Sequence, residues 1–200
     1  MSIPTIPGWF GKLPCLGDFA SRRLPAAFVR PWDDWLQQAL LAAREALGER
    51  YLAGYLEAPI WRFWLSPGLL GERGWAGLLM PSADRVGRYY PLALAWPGDS
   101  LADVLQHRRR FDRFDEVARL VLDMDFTVDD FERELARAAA HPPTPGDDAI
   151  AAPRADPWVE RDAAAPASLW WIGPIGAGRP RRFAGLPPHE AVAAWLEARP

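Results

Sequence analysis

Short apolar runs separated by turn residues predict a β-sheet. The runs span residues 7–13, 60–65, 75–80, 89–96 and 169–172. In 60–65 the alternating faces carry Trp61, Phe63 and Leu65 on one side and Ile60, Arg62 and Trp64 on the other. Bulky side chains on both faces at a period of two indicate a strand that is covered on both sides.

The run 89–96 has a bulky face and a small face. The bulky positions are Tyr90, Leu92, Leu94 and Trp96. Ala93 and Ala95 alternate with them, and their small side chains would let a helix approach closely. Pro91 has no amide hydrogen for the ladder, so it favours either an edge strand or the start of a strand.

Helical periodicity first appears after residue 30. Residues 14–30 are predicted to form a loop, and a helix is predicted to begin at Pro31 and to end at Gly48. Asp33 and Asp34 would then lie at the positive end of its dipole. The apolar positions at helical spacing are Trp32, Trp35, Leu36, Leu40, Ala43 and Leu47.

Three further helices are predicted towards the carboxyl terminus. One covers 109–123, and the next follows Thr127, a predicted N-cap, and ends at His141. Its apolar side chains include Val128, Phe131 and Leu135. The last follows Pro187 and carries Val192, Trp195 and Leu196.

The order of elements predicts an α+β fold. Three strands in sequence followed by helices favour a mostly antiparallel sheet flanked by helices, a layered sandwich. Residues 142–167 are rich in Pro, Ala, Asp and Gly and are predicted to form a linker. The strand and helix of 168–200 need apolar partners, so we expect them to pack back on a single domain of residues 1–200.

Composition narrows the classes of function. The net charge is −3, so the overall charge gives no reason to expect binding to nucleic acid or an anionic membrane. No run approaches the ~20 apolar residues of a membrane span, and Met1–Pro7 lacks the features of a signal peptide. Cys15 is the only cysteine, which suits a reducing compartment. We expect a cytoplasmic protein without membrane insertion.

Known catalytic and metal-binding motifs are not found in the sequence. Three histidines and one cysteine show no zinc-ligand spacing, and no cofactor is expected. Ser66 lacks the first glycine of a nucleophile elbow. Gly173, Gly176 and Gly178 do not match the order of a phosphate-binding loop, and a turn is favoured. The basic stretches at 107–113 and 179–182 are interpreted as solvated faces.

The polar segment 81–92 separates two apolar runs and must be a connection between strands. Asp84, Arg85 and Arg88 form its charge cluster. In one interpretation the arginines contact an anion or a protein partner. In the other, Asp84 caps the turn while the arginines pair with it or with Asp18, and this interpretation is favoured because such residues usually satisfy the backbone.

The order of several motifs resembles the TagF (ImpM) family of type VI secretion-associated proteins. The five motifs are Gly8–Pro14, Gly17–Phe19, Trp32–Gln37, Ala58–Phe63 and Pro81–Leu92. The similarity covers roughly residues 5–140. Ala83 replaces a larger aliphatic residue and Tyr90 replaces a phenylalanine that are usual in the family.

The resemblance implies a regulatory accessory protein of type VI secretion. It implies post-translational repression of system assembly and a forkhead-associated, phosphothreonine-reading protein as the partner. We expect stoichiometric binding without catalysis. The expected partner-binding residues are Ser82, Asp84, Arg85, Arg88, Tyr90, Asp18 and Trp9. Trp9 is included because an aromatic cluster at a sheet edge would mark a docking surface. The alternative is a small hydrolase or an enzyme of the phosphatase pathway that uses Asp84 or Asp18 as its base.

Overall fold

A computed structural model describes residues 6–123, 125–140, 166–176 and 179–198. Seven strands in these ranges form one sheet of order β2-β1-β5-β4-β3-β6-β7, and each neighbouring pair is antiparallel. The strands are β1 (Gly8–Gly11), β2 (Ala20–Arg22), β3 (Trp61–Leu65), β4 (Trp75–Met80), β5 (Leu92–Pro97), β6 (Ala167–Ile172) and β7 (Arg181–Ala184). The predicted α+β fold with an antiparallel sheet is confirmed.

Helices cover both faces of this sheet. The α-helices are α1 (Ala26–Leu47), α2 (Tyr51–Glu57), α3 (Leu101–Gln106), α4 (Arg109–Leu120), α5 (Val128–Ala140) and α6 (Ala191–Leu196), with a 3-10 turn at Gly48–Arg50. Residues of α1, α2 and α6 share one hydrophobic cluster with the sheet, and residues of α3, α4 and α5 share a second. The molecule is therefore a three-layer sandwich with two cores.

Aromatic rings fill the core beneath α1. Trp32 stacks on Trp170 with ring centroids 5.9 Å apart, and Trp170 lies 4.7 Å from Trp195. Trp61 stacks on Trp195 at 4.5 Å. Large rings bury much apolar area per residue, so these contacts join α1, α6, β3 and β6 into one unit.

The pleat of β3 follows the predicted alternation. Trp61, Phe63 and Leu65 face the α1 core, whereas Ile60 and Trp64 face the α4 core. In β5, Leu92, Leu94 and Trp96 share the α4 side, and the small Ala93 and Ala95 face the α1 side as expected.

Tyr90 is a correction to the predicted pleat. It lies in the α1 core, on the opposite side from Leu92. The reason is that β5 begins at Leu92, so the period of two does not extend back through Pro91. Pro91 thus precedes a strand start, and β5 is an interior strand between β1 and β4.

The first helix begins earlier than predicted. Helix α1 starts at Ala26, and Pro31 lies inside it. Proline costs a helical hydrogen bond there. However, Phe28 in the first turn is fully buried, and its ring centroid lies 5.3 Å from that of Trp32 and 5.0 Å from that of Trp75. Tertiary burial of Phe28 therefore holds a turn that local sequence disfavours. Asp33 and Asp34 are not in the first turn.

Other boundaries differ in the loops. Strand β2 falls inside the predicted loop 14–30, helix α3 was not predicted, and α4 ends at Leu120. Thr127 does cap α5, because its Oγ1 accepts the amide hydrogen of Asp130 at 3.2 Å. Most of the predicted linker, 142–165, lies outside the described residues, and Ala167 already belongs to β6.

The carboxyl-terminal elements lie on the central sheet. Strand β6 pairs with β3 in a register that runs from Trp61 opposite Ile172 to Leu65 opposite Ser168. Trp195 of α6 is buried against Trp61 and Trp170. In the described ranges, no helix combines the length and apolar character needed to cross a membrane.

We predict that Gly77→Ala destabilises the fold. A Cβ at Gly77 would overlap the carbonyl oxygen of Leu94 and the ring of Phe63. Such overpacking costs about 1–3 kcal/mol of unfolding free energy, measurable by urea denaturation. The control is Gly54→Ala in α2, where the nearest atom, the carbonyl oxygen of Leu196, lies 3.5 Å away. Since alanine favours helix, this variant should be unchanged or slightly more stable. Equal stability of both variants would contradict the described packing.

Candidate protein-binding surface

Residues 81–91 form a hairpin between β4 and β5. Ala83 and Tyr89 form an antiparallel bridge, and the amide of Asp84 donates to the carbonyl oxygen of Arg88 at 3.1 Å. The amide of Gly87 donates to the carbonyl oxygen of Asp84 at 2.9 Å. Gly87 has a φ of +80°, a left-handed conformation that glycine adopts without a steric penalty. The glycine therefore closes the tight turn at the tip.

The Asp84 carboxylate organises this hairpin from inside. Its Oδ1 accepts the amides of Val86 at 3.1 Å and Arg88 at 2.9 Å. Its Oδ2 is ion-paired with Lys12 Nζ at 3.0 Å and Arg88 Nε at 2.7 Å. Asp84 and Lys12 are both buried. The favoured interpretation, in which Asp84 caps the turn and pairs with an arginine, therefore describes the geometry, with Lys12 as an additional cation.

These contacts determine the pKa of Asp84. Burial raises the pKa, but the Arg88 amide, the Lys12 and Arg88 side chains and the Val86 amide all lower it. The donors outweigh the burial, so the pKa lies far below its ordinary value. Asp84 is therefore a carboxylate throughout the neutral range.

Ser82 and Tyr55 hold the base of the hairpin. The Tyr55 hydroxyl donates to the Ser82 carbonyl oxygen at 2.8 Å and accepts the Ser82 amide at 3.1 Å. Ser82 Oγ donates to the Lys12 carbonyl oxygen at 2.7 Å. Burial is the main cause that raises the pKa of Tyr55, so its hydroxyl stays protonated. These bonds tie the hairpin to α2 and to the chain after β1.

The loop after β1 lies against the hairpin. The Arg85 amide donates to the Leu16 carbonyl oxygen at 2.8 Å, and Arg88 Nη2 donates to the Gly17 carbonyl oxygen at 2.6 Å. Asp18 is exposed, and its Oδ1 accepts the Phe19 amide at 2.8 Å. Arg88 therefore pairs with Asp84, and no ion pair between an arginine of this hairpin and Asp18 is seen among the described residues.

An aromatic group flanks this loop. Phe19 is 44% exposed, and its ring centroid lies 4.7 Å from the ring centroid of Tyr90 and 5.0 Å from Lys12 Nζ. The buried Tyr90 donates from its hydroxyl to Asp33 Oδ1 at 2.5 Å. Burial, the bond to Asp33 and the nearby carboxylates raise the pKa of Tyr90. The bond from Tyr90 to Asp33 thus connects the hairpin to α1.

The predicted partner-binding residues divide into two groups. Ser82, Asp84 and Tyr90 are buried, so they support the hairpin and cannot present their side chains to a partner. Asp18, Arg85 and Arg88 are exposed. Beside them are Val86 and Tyr89, which are 71% and 43% exposed; they lie in the predicted connection but were not named individually as binding residues. Their exposure depends on long-range packing that the local sequence does not encode.

The expectation for Trp9 is wrong. Its side chain is buried against Phe131, and Nε1 donates to Glu132 Oε1 at 2.6 Å. Strand β2 shields β1, so β1 is not at the sheet edge. Glu132 also pairs with Arg23. Burial raises the pKa of Glu132, but the bonds from Arg23 and Trp9 outweigh this effect and lower it. Five tryptophans at positions with core periodicity are buried as well: Trp32, Trp35, Trp61, Trp64 and Trp75.

A cavity of about 530 Å³ opens beside the hairpin. Its lining includes the hairpin residues Ser82, Ala83 and Tyr89, together with Leu56 and Leu122. These two leucines are 56% and 54% exposed. Leu122 falls within the helix predicted over 109–123, but α4 ends at Leu120, so Leu122 lies beyond its last turn.

Two arginines on the α4 side of the sheet, Arg62 and Arg110, contact the fold itself. Arg62 is buried, and its guanidinium pairs with Asp112 at 2.7 Å and Asp115 at 3.4 Å. Arg110 lies over the rings of Trp96 and Phe114, and burial lowers its pKa to about 10. It is not part of a solvated face. No group of three metal-ligating side chains occurs in the described part of the chain.

This chain is similar to a protein of known structure. The chain matches the crystal structure of PA0076 from Pseudomonas aeruginosa PAO1 with a TM-score of 0.75 and 35% sequence identity. The match covers 95% of this chain and 93% of that chain. A comparison with curated proteins gives no match.

The family comparison covers β1 through most of α5. The model of the TagF N-terminal domain, described as type VI secretion system-associated, matches residues 8–138. This range includes the hairpin, the loop after β1 and both walls of the cavity that α2 and α4 provide. The chain therefore belongs to the TagF N-terminal domain family, which is associated with the type VI secretion system.

Proposed function

We propose that this chain is a non-enzymatic regulator that represses assembly of the type VI secretion system by binding a partner protein. The proposed partner is a forkhead-associated, phosphothreonine-reading protein in the cytoplasm. The proposed contact surface, called here the hairpin surface, comprises Arg85–Tyr89 with Asp18 and Phe19. Stoichiometric binding would withhold the partner from assembly, which requires no bond to be made or broken.

The observation that carries this proposal is a hydrogen-bonded backbone that presents exposed side chains. The tip is held by the Asp84 carboxylate within and by the bond from the Arg85 amide to Leu16. Arg85 itself is exposed and makes no ion pair with a described side chain. A preformed surface loses little conformational entropy on binding, which favours affinity.

The hydrolase alternative has less support. A general base works best with a pKa near the operating pH, whereas the pKa of Asp84 lies far below it. Asp84 is also occupied by four donors and buried. Burial raises the pKa of the nearby Cys15 thiol, which lowers the fraction present as a thiolate nucleophile.

We predict that Arg85→Glu weakens binding of the forkhead-associated partner about tenfold or more. The reversed charge meets the partner directly, while the structural bond of residue 85 is made by its backbone amide. Binding of purified proteins by titration calorimetry measures the effect, and a thermal melt should match wild type.

The matched control for this prediction is Arg182→Glu. Arg182 is an exposed arginine on β7, the edge strand that is three strands away from β4, and its reversal should leave the affinity unchanged. Arg88 is a poorer probe, because its loss also removes bonds to Asp84 and Gly17. Wild-type affinity in the Arg85→Glu variant would refute the proposed surface.

We predict that Asp84→Asn lowers the melting temperature by several degrees at pH 7. Neutralising this side chain leaves the buried Lys12 cation without its counter-charge. The folded pKa lies below the unfolded value of about 3.9, so the carboxylate stabilises the fold fully above about pH 5. Its contribution is lost as the pH falls towards the folded pKa. The difference between variant and wild type should therefore shrink in acid, as followed by thermal melts between pH 7 and pH 3.

Asp34→Asn on the exposed side of α1 is the control and should melt like wild type. An Asp84→Asn protein that keeps its melting temperature but loses a hydrolytic activity would support the enzyme alternative instead.

A further inference from the structure

The cavity beside the hairpin has apolar walls from three parts of the fold. Leu56 comes from α2, Tyr89 from the hairpin and Leu122 from the turn after α4. Ile60, Met80 and Ile172 line its floor at the ends of β3, β4 and β6. An open cavity surrounded by half-exposed apolar side chains is typical of a binding site, because isolated monomers rarely leave such area in water.

The cavity offers no strand edge to an extended peptide. Strands β3, β4 and β6 are interior strands with a neighbour on each side. In the hairpin wall, the amides of Ser82, Arg85 and Tyr90 already donate to Tyr55, Leu16 and Ser82. An occupant must therefore satisfy its own backbone hydrogen bonds, and an α-helix does so.

The volume matches the side chains of one helix face. A cavity of about 150 Å³ holds one benzene molecule, so about 530 Å³ accommodates about three large apolar side chains. Three anchors at positions i, i+4 and i+7 lie on one face of a helix, and this spacing is the usual one for a helix bound in a groove.

Charges at the hairpin indicate the polar part of the occupant. Lys12 and Arg88 pair with Asp84, and the exposed Arg85 and Asp18 lie in the same two segments, so the cations outnumber the carboxylates by one. Arg85 is the cation that has no ion pair among the described side chains. An acidic side chain would complement this excess.

The opposite wall of the cavity carries the opposite sign of charge. Arg119 and Arg62 both pair with Asp115, Arg62 also pairs with Asp112, and Glu57 lines the cavity, so the carboxylates outnumber the cations there by one. The complementary negative charge therefore belongs at the hairpin end of the occupant.

We propose that this cavity binds an amphipathic α-helix of the partner protein. Three apolar side chains of that helix enter between Leu56, Tyr89 and Leu122, and an acidic side chain of the same helix meets Arg85. The identity of the partner rests on the proposed function, but the class of ligand follows from the cavity itself.

The test compares single substitutions in the cavity wall. Leu56→Glu and Leu122→Glu place a charge where an apolar anchor would bind, and Leu41→Glu is the matched control. Leu41 is 51% exposed on α1 and does not line the cavity. All three variants should melt like wild type, because the replaced side chains are half-exposed.

Two probes are titrated against the full chain by fluorescence anisotropy. One is the purified forkhead-associated protein. The other is a synthetic helix with leucines at i, i+4 and i+7 and glutamates in one end turn, paired with a version that carries lysines instead. We expect the glutamate helix to bind about tenfold tighter than the lysine helix. Leu56→Glu and Leu122→Glu should each weaken both probes about tenfold, whereas Leu41→Glu should not.

The outcomes separate this inference from the proposed function. Unchanged binding of the forkhead-associated protein to both cavity variants, with loss in Arg85→Glu, overturns the cavity inference and leaves the regulator proposal standing. No binding of that protein to wild type overturns the regulator proposal, while the helix probes still test the cavity. Equal affinity for the two helices, or a dimer of this chain that the cavity substitutions abolish, overturns the proposed acidic helix.

Discussion

The hairpin surface depends on one buried carboxylate. Asp84 joins Lys12, which follows β1, to Arg88 and to the two amides at the hairpin tip. Burying a charge is costly unless it is paired and fully hydrogen-bonded, and here four donors meet that condition. The geometry of Arg85 and Tyr89 is thus set by a contact that a partner would never touch. Arg88 extends the same network to the loop after β1 through the Gly17 carbonyl oxygen.

The sheet was predictable where both faces of a strand are buried. In β3 the alternation Trp61-Arg62-Phe63-Trp64 is a local signal, because each side chain packs against a layer of helices. Strand β2 carries no such signal: its residues Ala20–Arg22 are mostly exposed, and pairing with β1 joins them to the sheet. Helix α1 shows the converse, since the buried Phe28 extends it past a proline that locally indicates a start.

The sequence predicted that the hairpin is a capped turn, but not which of its side chains are exposed. Asp, Gly and Arg in a short polar segment indicate a capped turn, and the structure contains one. That Lys12 completes the site, and that Tyr90 turns inward while Tyr89 turns outward, depends on contacts between segments far apart in the chain. Trp9 was misjudged for the same reason: only the pairing of β2 and the position of Glu132 show that its ring is covered.

Residues around the hairpin either support its backbone or are exposed at its surface, and this difference decides how a substitution there is interpreted. Most of the large aromatic side chains lie in the two cores, so binding falls to a small set of exposed residues on a framework held from within. Loss of Asp84, Ser82 or Tyr55 acts through the framework, whereas loss of Arg85 acts at the surface. Arg88 belongs to both groups, since its side chain is exposed yet bonds Asp84 and Gly17. Lost binding in an Arg88 variant is therefore no proof of direct contact. Assigning the interface requires residues such as Arg85, which bonds to the rest of the fold through its backbone amide.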